Sequence, residues 1–362
     1  MSAHITRRAV LAALPAALSA ATDPANRKGR PLPSVGEFLR FADPTTENTV
    51  VRLTNPTSAS LLPAPGNRFI SLRERFLICS SDRTGRMEPF RVDLRTGSIT
   101  LITPTTGLDP RSLWLDERQR TIYLCDGGAL KEIALAGKRT RVLADNVTAF
   151  AKRGTADFVL VREGRLELLG AAEKAFATDI APWCLVQPGG AGCAFGRETG
   201  ADEREFWYVP LTASNQAKPL LLAQGRISSP LWSPDGHSLL FLRDVPGNGT
   251  FLSEIRERLP AAPDEQRVDR TSQFAAFAAN GDASVFVGAS RSKAQPTIIL
   301  LLRTAQRELT LCEHRASHPA SVAPVFSPDS RRVYFQSDHE GKSAIYSVNV
   351  ELLVEPTAPN AI

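Results

Sequence analysis

Five histidines, His4, His237, His314, His318 and His339, are all the imidazoles in this 362-residue chain. Chemistry that needs several of them together, as metal ligands or as an acid–base pair, therefore has few candidates. His314 and His318 are four residues apart, a spacing that on a helix would turn both to one face for a metal. They follow the strand-like run from Glu308 to Cys312 and precede a turn-rich stretch, so the pattern predicts a loop pair, solvated or lightly packed. His237 follows the turn Ser233-Pro-Asp-Gly236, and His339 lies in Asp338-His-Glu-Gly341. Both are expected at exposed turn tips. Asp329, Asp338 and Glu340 also sit in turns, where an acidic side chain more often caps backbone N–H groups than holds calcium. Serine-nucleophile chemistry finds no Gly-x-Ser-x-Gly elbow and no room for a hydrolase domain. Arg256 and Arg258 are candidate anion contacts. They lie beside the charged segment Pro260 to Arg270, expected to be a loop projecting over one face. Cys79, Cys125 and Cys312 fall in apolar runs and are expected as buried thiols. Cys184 and Cys193, nine apart across a Gly-Gly turn, are compatible with either a bridge or two free thiols. No disulfide framework or zinc spacing is present.

The elements that would position these groups begin after an export signal. Residues 1–21 place Arg7 and Arg8 before a mostly apolar stretch, Ala9 to Ala21, that ends in small residues. Thr6-Arg-Arg-Ala-Val-Leu11 is close to the twin-arginine pattern, with Val10 where Phe is usual, the alternatives being a plain secretory signal or an uncleaved anchor. The stretch is short for a bilayer span, and nothing later in the chain comes closer. The expected mature protein is periplasmic or secreted. The formal charge of +5 is mild, and no basic run interleaved with aromatics points to nucleic acid.

Beyond residues 22–37, read as a linker, the chain shows almost no helical periodicity. Short apolar runs alternate with tight turns. Phe76-Leu-Ile-Cys-Ser-Ser leads through Asp82-Arg-Thr-Gly85 to Glu88-Pro-Phe-Arg-Val-Asp93, and Arg332-Val-Tyr-Phe-Gln-Ser leads through Asp338-His-Glu-Gly341 to Ala344-Ile-Tyr-Ser-Val-Asn-Val. Ser233-Pro-Asp-Gly236 and Ser327-Pro-Asp-Ser330 read as type I turns, since Pro presets φ and Asp bonds its own backbone. Repeat units begin near Leu72, Arg111, Val147, Pro182, Ile227, Ser272 and Ala323, at the spacing of four-stranded propeller blades. The prediction is an all-β, seven-bladed propeller over residues 38–356, with six or eight blades left open and a tail at 357–362. The segment Phe38 to Pro56 is expected to complete the last blade and close the ring, leaving no free edge. Two β-sandwiches would need a composition break in mid-chain, and none is seen.

Several of these residues also resemble a known family. Ser81-Asp-Arg-Thr-Gly85, Phe90-Arg-Val-Asp-Leu-Arg-Thr-Gly97 and Phe326-Ser-Pro-Asp329 look like TolB-type propeller repeats. The opening Asp43-Pro-Thr-Thr-Glu-Asn-Thr-Val-Val-Arg-Leu-Thr54 and the stretch from Leu311 to Val350 are similar to oligogalacturonate lyases. That resemblance implies β-elimination on short galacturonate oligomers, assisted by a divalent metal, usually manganese, on three histidines and a glutamine. A further histidine would assist proton transfer, and an arginine would hold the acidic sugar.

Carried over position by position, the resemblance leaves most of that machinery without its side chains. The glutamine position falls on His318, which is itself a possible ligand. Two histidine positions fall on Ser321 and Ala323, and the third near Ala276. The acid–base histidine falls on Ser229. Arg204 matches the arginine, with Glu205 competing in a shifted register. One strong ligand does not hold a divalent ion tightly. The expectation is a diverged relative without a bound metal, manganese entering only if the site survives in altered form, that binds an acidic oligosaccharide through Arg204. The alternative expectation is a non-enzymatic TolB-like scaffold for an envelope protein.

Overall fold

A computed structural model describes residues 36–155, 157–170, 175–211, 218–247, 251–271 and 273–358. Residues 1–21, expected to be an export signal, most of the stretch 22–37 and the last four residues lie outside the described residues. From Leu39 to Asn349 the chain forms seven antiparallel sheets, arranged as the seven blades of a β-propeller. The innermost strands of blades 1 to 7 are Ser60–Leu61, Trp114–Leu115, Ala149–Arg153, Cys184–Val186, Ile227–Trp232, Phe274–Ala279 and Val325–Phe326. Each is followed by strands that step outward in sequence order. All seven inner strands start at one face of the ring, here the entry face. They end in their first turns at the other, the exit face.

The middle strands are buried along their whole length because a neighbouring blade covers each side. Phe76–Ser81, Val285–Ser290 and nearly all of Thr297–Leu302 are buried. This explains their near-continuous Ile, Leu, Val and Phe content, where a half-exposed strand would alternate. Each such side chain contributes about 1.5–3 kcal/mol of burial free energy. The Ser-Pro-Asp turns join first and second strands, with Gly236 N–H donating to Ser233 O at 2.8 Å and Ser330 N–H to Ser327 O at 2.9 Å.

Blade 7 has five strands. Thr49–Arg52 pairs with Ala344–Asn349, and Leu39–Ala42 lies outside it, so the N-terminal segment completes the C-terminal blade. The turn between those two N-terminal strands is built on Asp43, which is 2% exposed. Its carboxylate accepts from the N–H of Thr45 (3.1 Å), Thr46 (3.0 Å) and, in blade 6, Glu313 (2.8 Å). Thr46 Oγ1 and Asn48 Nδ2 both donate to Leu311 O of blade 6, at 2.7 and 2.8 Å. Glu37 reaches the other way, pairing with Arg83 of blade 1 at 2.8 Å. The opening motif is therefore a clasp over blades 6, 7 and 1.

Four expectations need correction. The first blade begins at Ser60, not near Leu72, because Pro63, Pro65 and Gly66 interrupt its inner strand and disguise it as a connector. The segment Pro260 to Arg270 is loop only in its first half, since Gln266–Arg270 is the outer strand of blade 5. His314 is no solvated loop histidine, being 0% exposed. Blade 3 is short by one strand among the described residues: outside Arg165–Leu168 only Ala177 pairs, through one bridge to Leu166.

Candidate functional site

The positions carried over from the resemblance gather at the entry face, where the inner strands of blades 5, 6 and 7 begin. Ser229 (φ 52°), Gln273 (φ 63°) and Ala323 (φ 45°) all adopt the left-handed conformation there. This region is sparsely used by residues other than glycine and costs on the order of 1–3 kcal/mol each. In blade 5 the strand register breaks between Ser228 and Leu231, and in blade 6 between Phe274 and Ala276. The backbone of this face is thus specially shaped in three consecutive blades.

Its side chains carry little chemistry. Ala276 and Ala323 are buried methyl groups. His318 is exposed and precedes the short 3-10 turn Pro319–Ser321 without capping it. Ser321 Oγ donates to the His318 carbonyl at 2.7 Å, so the hydroxyl is folded back on its own turn. Among the described residues no three His, Cys, Asp or Glu side chains converge as a metal-binding group. A divalent ion needs several oxygen or nitrogen donors together. A lone imidazole, a turned-back hydroxyl and two methyl groups do not fit manganese at these positions.

Arg204 opens the third strand of blade 4 on the same face. It pairs with Glu198 at 3.2 Å, and its side chain is 40% exposed. Glu205, beside it, accepts instead from the indole N–H of Trp207 at 2.8 Å. Arg197 donates to Thr178 O at 2.9 Å and lies over the Trp207 ring, 4.8 Å from its centroid. Arg243 and Arg291 add two more guanidinium groups nearby, held by Glu265 and Asp244 at 2.6 and 3.0 Å.

The remaining sequence candidates are structural. Nδ1 of His314 accepts from the Ala316 N–H at 3.1 Å, so Nε2, 3.0 Å from Ser290 O, carries the proton. Burial holds this imidazole below its ordinary pKa, in keeping with a neutral ring. His237 is an exposed partner of Asp235, whose pKa, against the pull of desolvation, is drawn down to about 2 by bonds from Ser233 and His237. His339 lies 5.4 Å from the Tyr346 ring with Nδ1 at 3.1 Å from Ser337 Oγ. Arg256 pairs with Glu254 at 2.5 Å, and Arg258 is buried against the Leu259 carbonyl. Cys184 and Cys193 are free and buried on paired strands, with Cys184 opposite Phe195 and Cys193 opposite Val186.

A second feature was not singled out by the sequence pattern. Residues 63–67, which interrupt the inner strand of blade 1, cross the central channel. A β-carbon built at Gly66 would stand 2.9 Å from Leu185 Cδ2 of blade 4, three blades away. The root of this plug is fixed by Gln336, whose Oε1 accepts from the Leu62 N–H at 2.7 Å and whose Nε2 donates to Ser321 O at 2.6 Å. Between the plug and the exit face lies a cavity of about 260 Å³ bordered by all seven blades. Trp114, Trp232, Phe69, Phe326 and Leu231 supply much of its wall. None of the residues carried over from the resemblance lines it. Pro63-Ala-Pro-Gly66 was the one visible hint, as a breaker inside a strand-like region.

No family model matches the chain, and no curated protein matches it. Among solved structures it is similar to an oligogalacturonate lyase in complex with manganese, with a TM-score of 0.74 and 18% identity over 86% of this chain and 96% of that one. An oligogalacturonate lyase from Vibrio parahaemolyticus gives a TM-score of 0.71 at 18% identity, with the same coverage. The β-propeller domain of Cps50 (Swd1) from Myceliophteria thermophila follows at 0.55 and 12% identity, over 81% of this chain and 99% of that domain. At such identities the likeness establishes the propeller fold.

Proposed function

We propose that this chain is an exported saccharide-binding propeller, a diverged relative of oligogalacturonate lyases that no longer performs their metal-assisted elimination. The carrying observation is the residue content of the entry face: Ser229, Ala276, Ser321 and Ala323 occupy positions set in specially shaped backbone, while Arg204 remains at its rim. Removing the proton α to a carboxylate requires charge neutralisation and a base of suitable pKa. A serine hydroxyl with no histidine beside it is no such base. Binding an acidic sugar asks less. The Arg204–Glu198 pair is solvent-exposed, and such pairs contribute about 0–1 kcal/mol. A uronate carboxylate can replace Glu198 at little cost, with the Arg197–Trp207 stack offering a second cation and an apolar ring to the sugar.

The test is calorimetry and thermal shift with digalacturonate, with and without manganese, alongside an assay for unsaturated product. The expected result is saturable binding that is indifferent to manganese, weakened at least about tenfold in Arg204→Ala, a loss of roughly 1.4 kcal/mol, with no unsaturated product. Manganese-dependent turnover would overturn the reading. No response to the sugar in either condition would redirect it to a protein partner.

A further inference from the structure

The cavity behind the plug carries an inference that does not rest on the entry-face reading. We infer that it is a second binding site, for a neutral, flat aromatic compound of two fused rings. Its size fits such a body. An apolar cavity of about 150 Å³ takes up benzene, and this one measures about 260 Å³. Trp114 and Trp232 stand in its wall with Phe69 and Phe326. Two indoles and two phenyl rings favour an aromatic occupant, through burial and edge or offset stacking. The Trp232 ring is held in place before any ligand arrives. Its N–H donates to Leu185 O at 2.9 Å, and Tyr208 packs edge-on with 5.8 Å between ring centroids. A wall fixed in this way loses little freedom on binding.

The polar groups of the wall select against sugars and against charge. Ser233 Oγ accepts from the Ser238 N–H at 3.0 Å, and Ser327 Oγ donates to Asp329 at 2.7 Å. Asn280 Oδ1 accepts from the Val285 N–H at 3.0 Å, and its amide donates to Ser284 at 3.1 Å. The Asn67 amide donates to Arg111 O and Leu113 O at 3.2 and 3.1 Å. A sugar, whose hydroxyls each need a partner, would lose its water bonds here without replacement. Arg68 is the one ionisable side chain besides the Cys184 thiol among the described lining residues. It is already engaged, and Glu117 and Asp116 stand close enough to act on its charge. An anion in the cavity would therefore give up its water without gaining an uncommitted cation, and a cation would meet a like charge. A neutral aromatic body meets neither obstacle.

The experiment is calorimetric titration of the full chain with 2-naphthamide, against its saturated counterpart decahydronaphthalene-2-carboxamide and its anionic counterpart 2-naphthoate. Saturable one-to-one binding of 2-naphthamide is expected, at least about tenfold tighter than either counterpart. Trp114→Leu, which keeps the wall apolar, should weaken 2-naphthamide at least about fivefold and narrow its lead over the saturated amide. Digalacturonate should not displace 2-naphthamide, which separates this site from the entry face. Absence of saturable binding, equal affinity for either counterpart, unchanged affinity in Trp114→Leu, or displacement by digalacturonate would each overturn the assignment. The three-ligand comparison needs no variant, so it stands even if the substitution impairs folding.

Discussion

Glu74 and Asp329 meet across the seam between blades 1 and 7, where Tyr334 OH donates to Glu74 at 3.1 Å and Arg332 approaches at 3.3 Å. Arg332 favours a charged Glu74. Burial and the hydrogen bond to Asp329 outweigh it and push the Glu74 pKa up to about 7, while Asp329 stays low. Glu74 Oε1 accepts no hydrogen bond, as suits a protonated oxygen donating to Asp329. The native state keeps this proton between the ordinary value of 4.5 and about 7, where the unfolded chain releases it. Stability from this pair is full below the lower value and declines as pH rises through the upper one. The loss amounts to as much as about 3 kcal/mol. Urea titrations across that range should show Glu74→Gln with a flatter profile than the parent; an unchanged slope would refute the shared proton. At this scale the sequence was a poor guide. Asp329 reads as a turn cap, which it is, but its partner lies some 250 positions away and leaves no local trace. His314 escapes a local reading for the same reason, its enclosure depending on Ser290 from another strand.

The strands themselves were largely legible. Turn chemistry at Ser233–Gly236 and Ser327–Ser330 and the apolar runs between turns marked most blades within a few residues. Where the pattern failed, a breaker lay inside a strand, as at Pro63 to Asn67, or the described residues of a blade formed only three strands, as in blade 3. Neighbouring blades also impose demands that propensity does not encode. Gly288 weakens the central strand Val285–Ser290 by propensity, yet it is required there because the Phe274 ring lies where a side chain would stand. Gly288→Ala should therefore destabilise the fold by about 1–3 kcal/mol through overpacking. A melting temperature equal to the parent's would show that the ring can move aside.

For the ring as a whole, closure rests on the N-terminal clasp. Asp43 joins backbone groups of its own turn to blade 6, and its removal leaves the Glu313 N–H without that acceptor. Asp43→Ala is expected to lower stability by about 1–3 kcal/mol in denaturant melts, with the entry-face and cavity residues unaltered. The opening motif that resembles lyases thus has a structural role in closing the ring. The pairing of Val50 with Val348 has a temporal side as well. The two partners are nearly 300 residues apart, and contacts of such separation form late because the intervening chain must first be ordered. During synthesis Thr49–Arg52 precedes nearly all the other described strands, and it waits for Ala344–Asn349, the last of them. A chain released before residue 344 would present unpaired strand edges at both ends, a template for aggregation. The ring closes only once Ala344–Asn349 has been made.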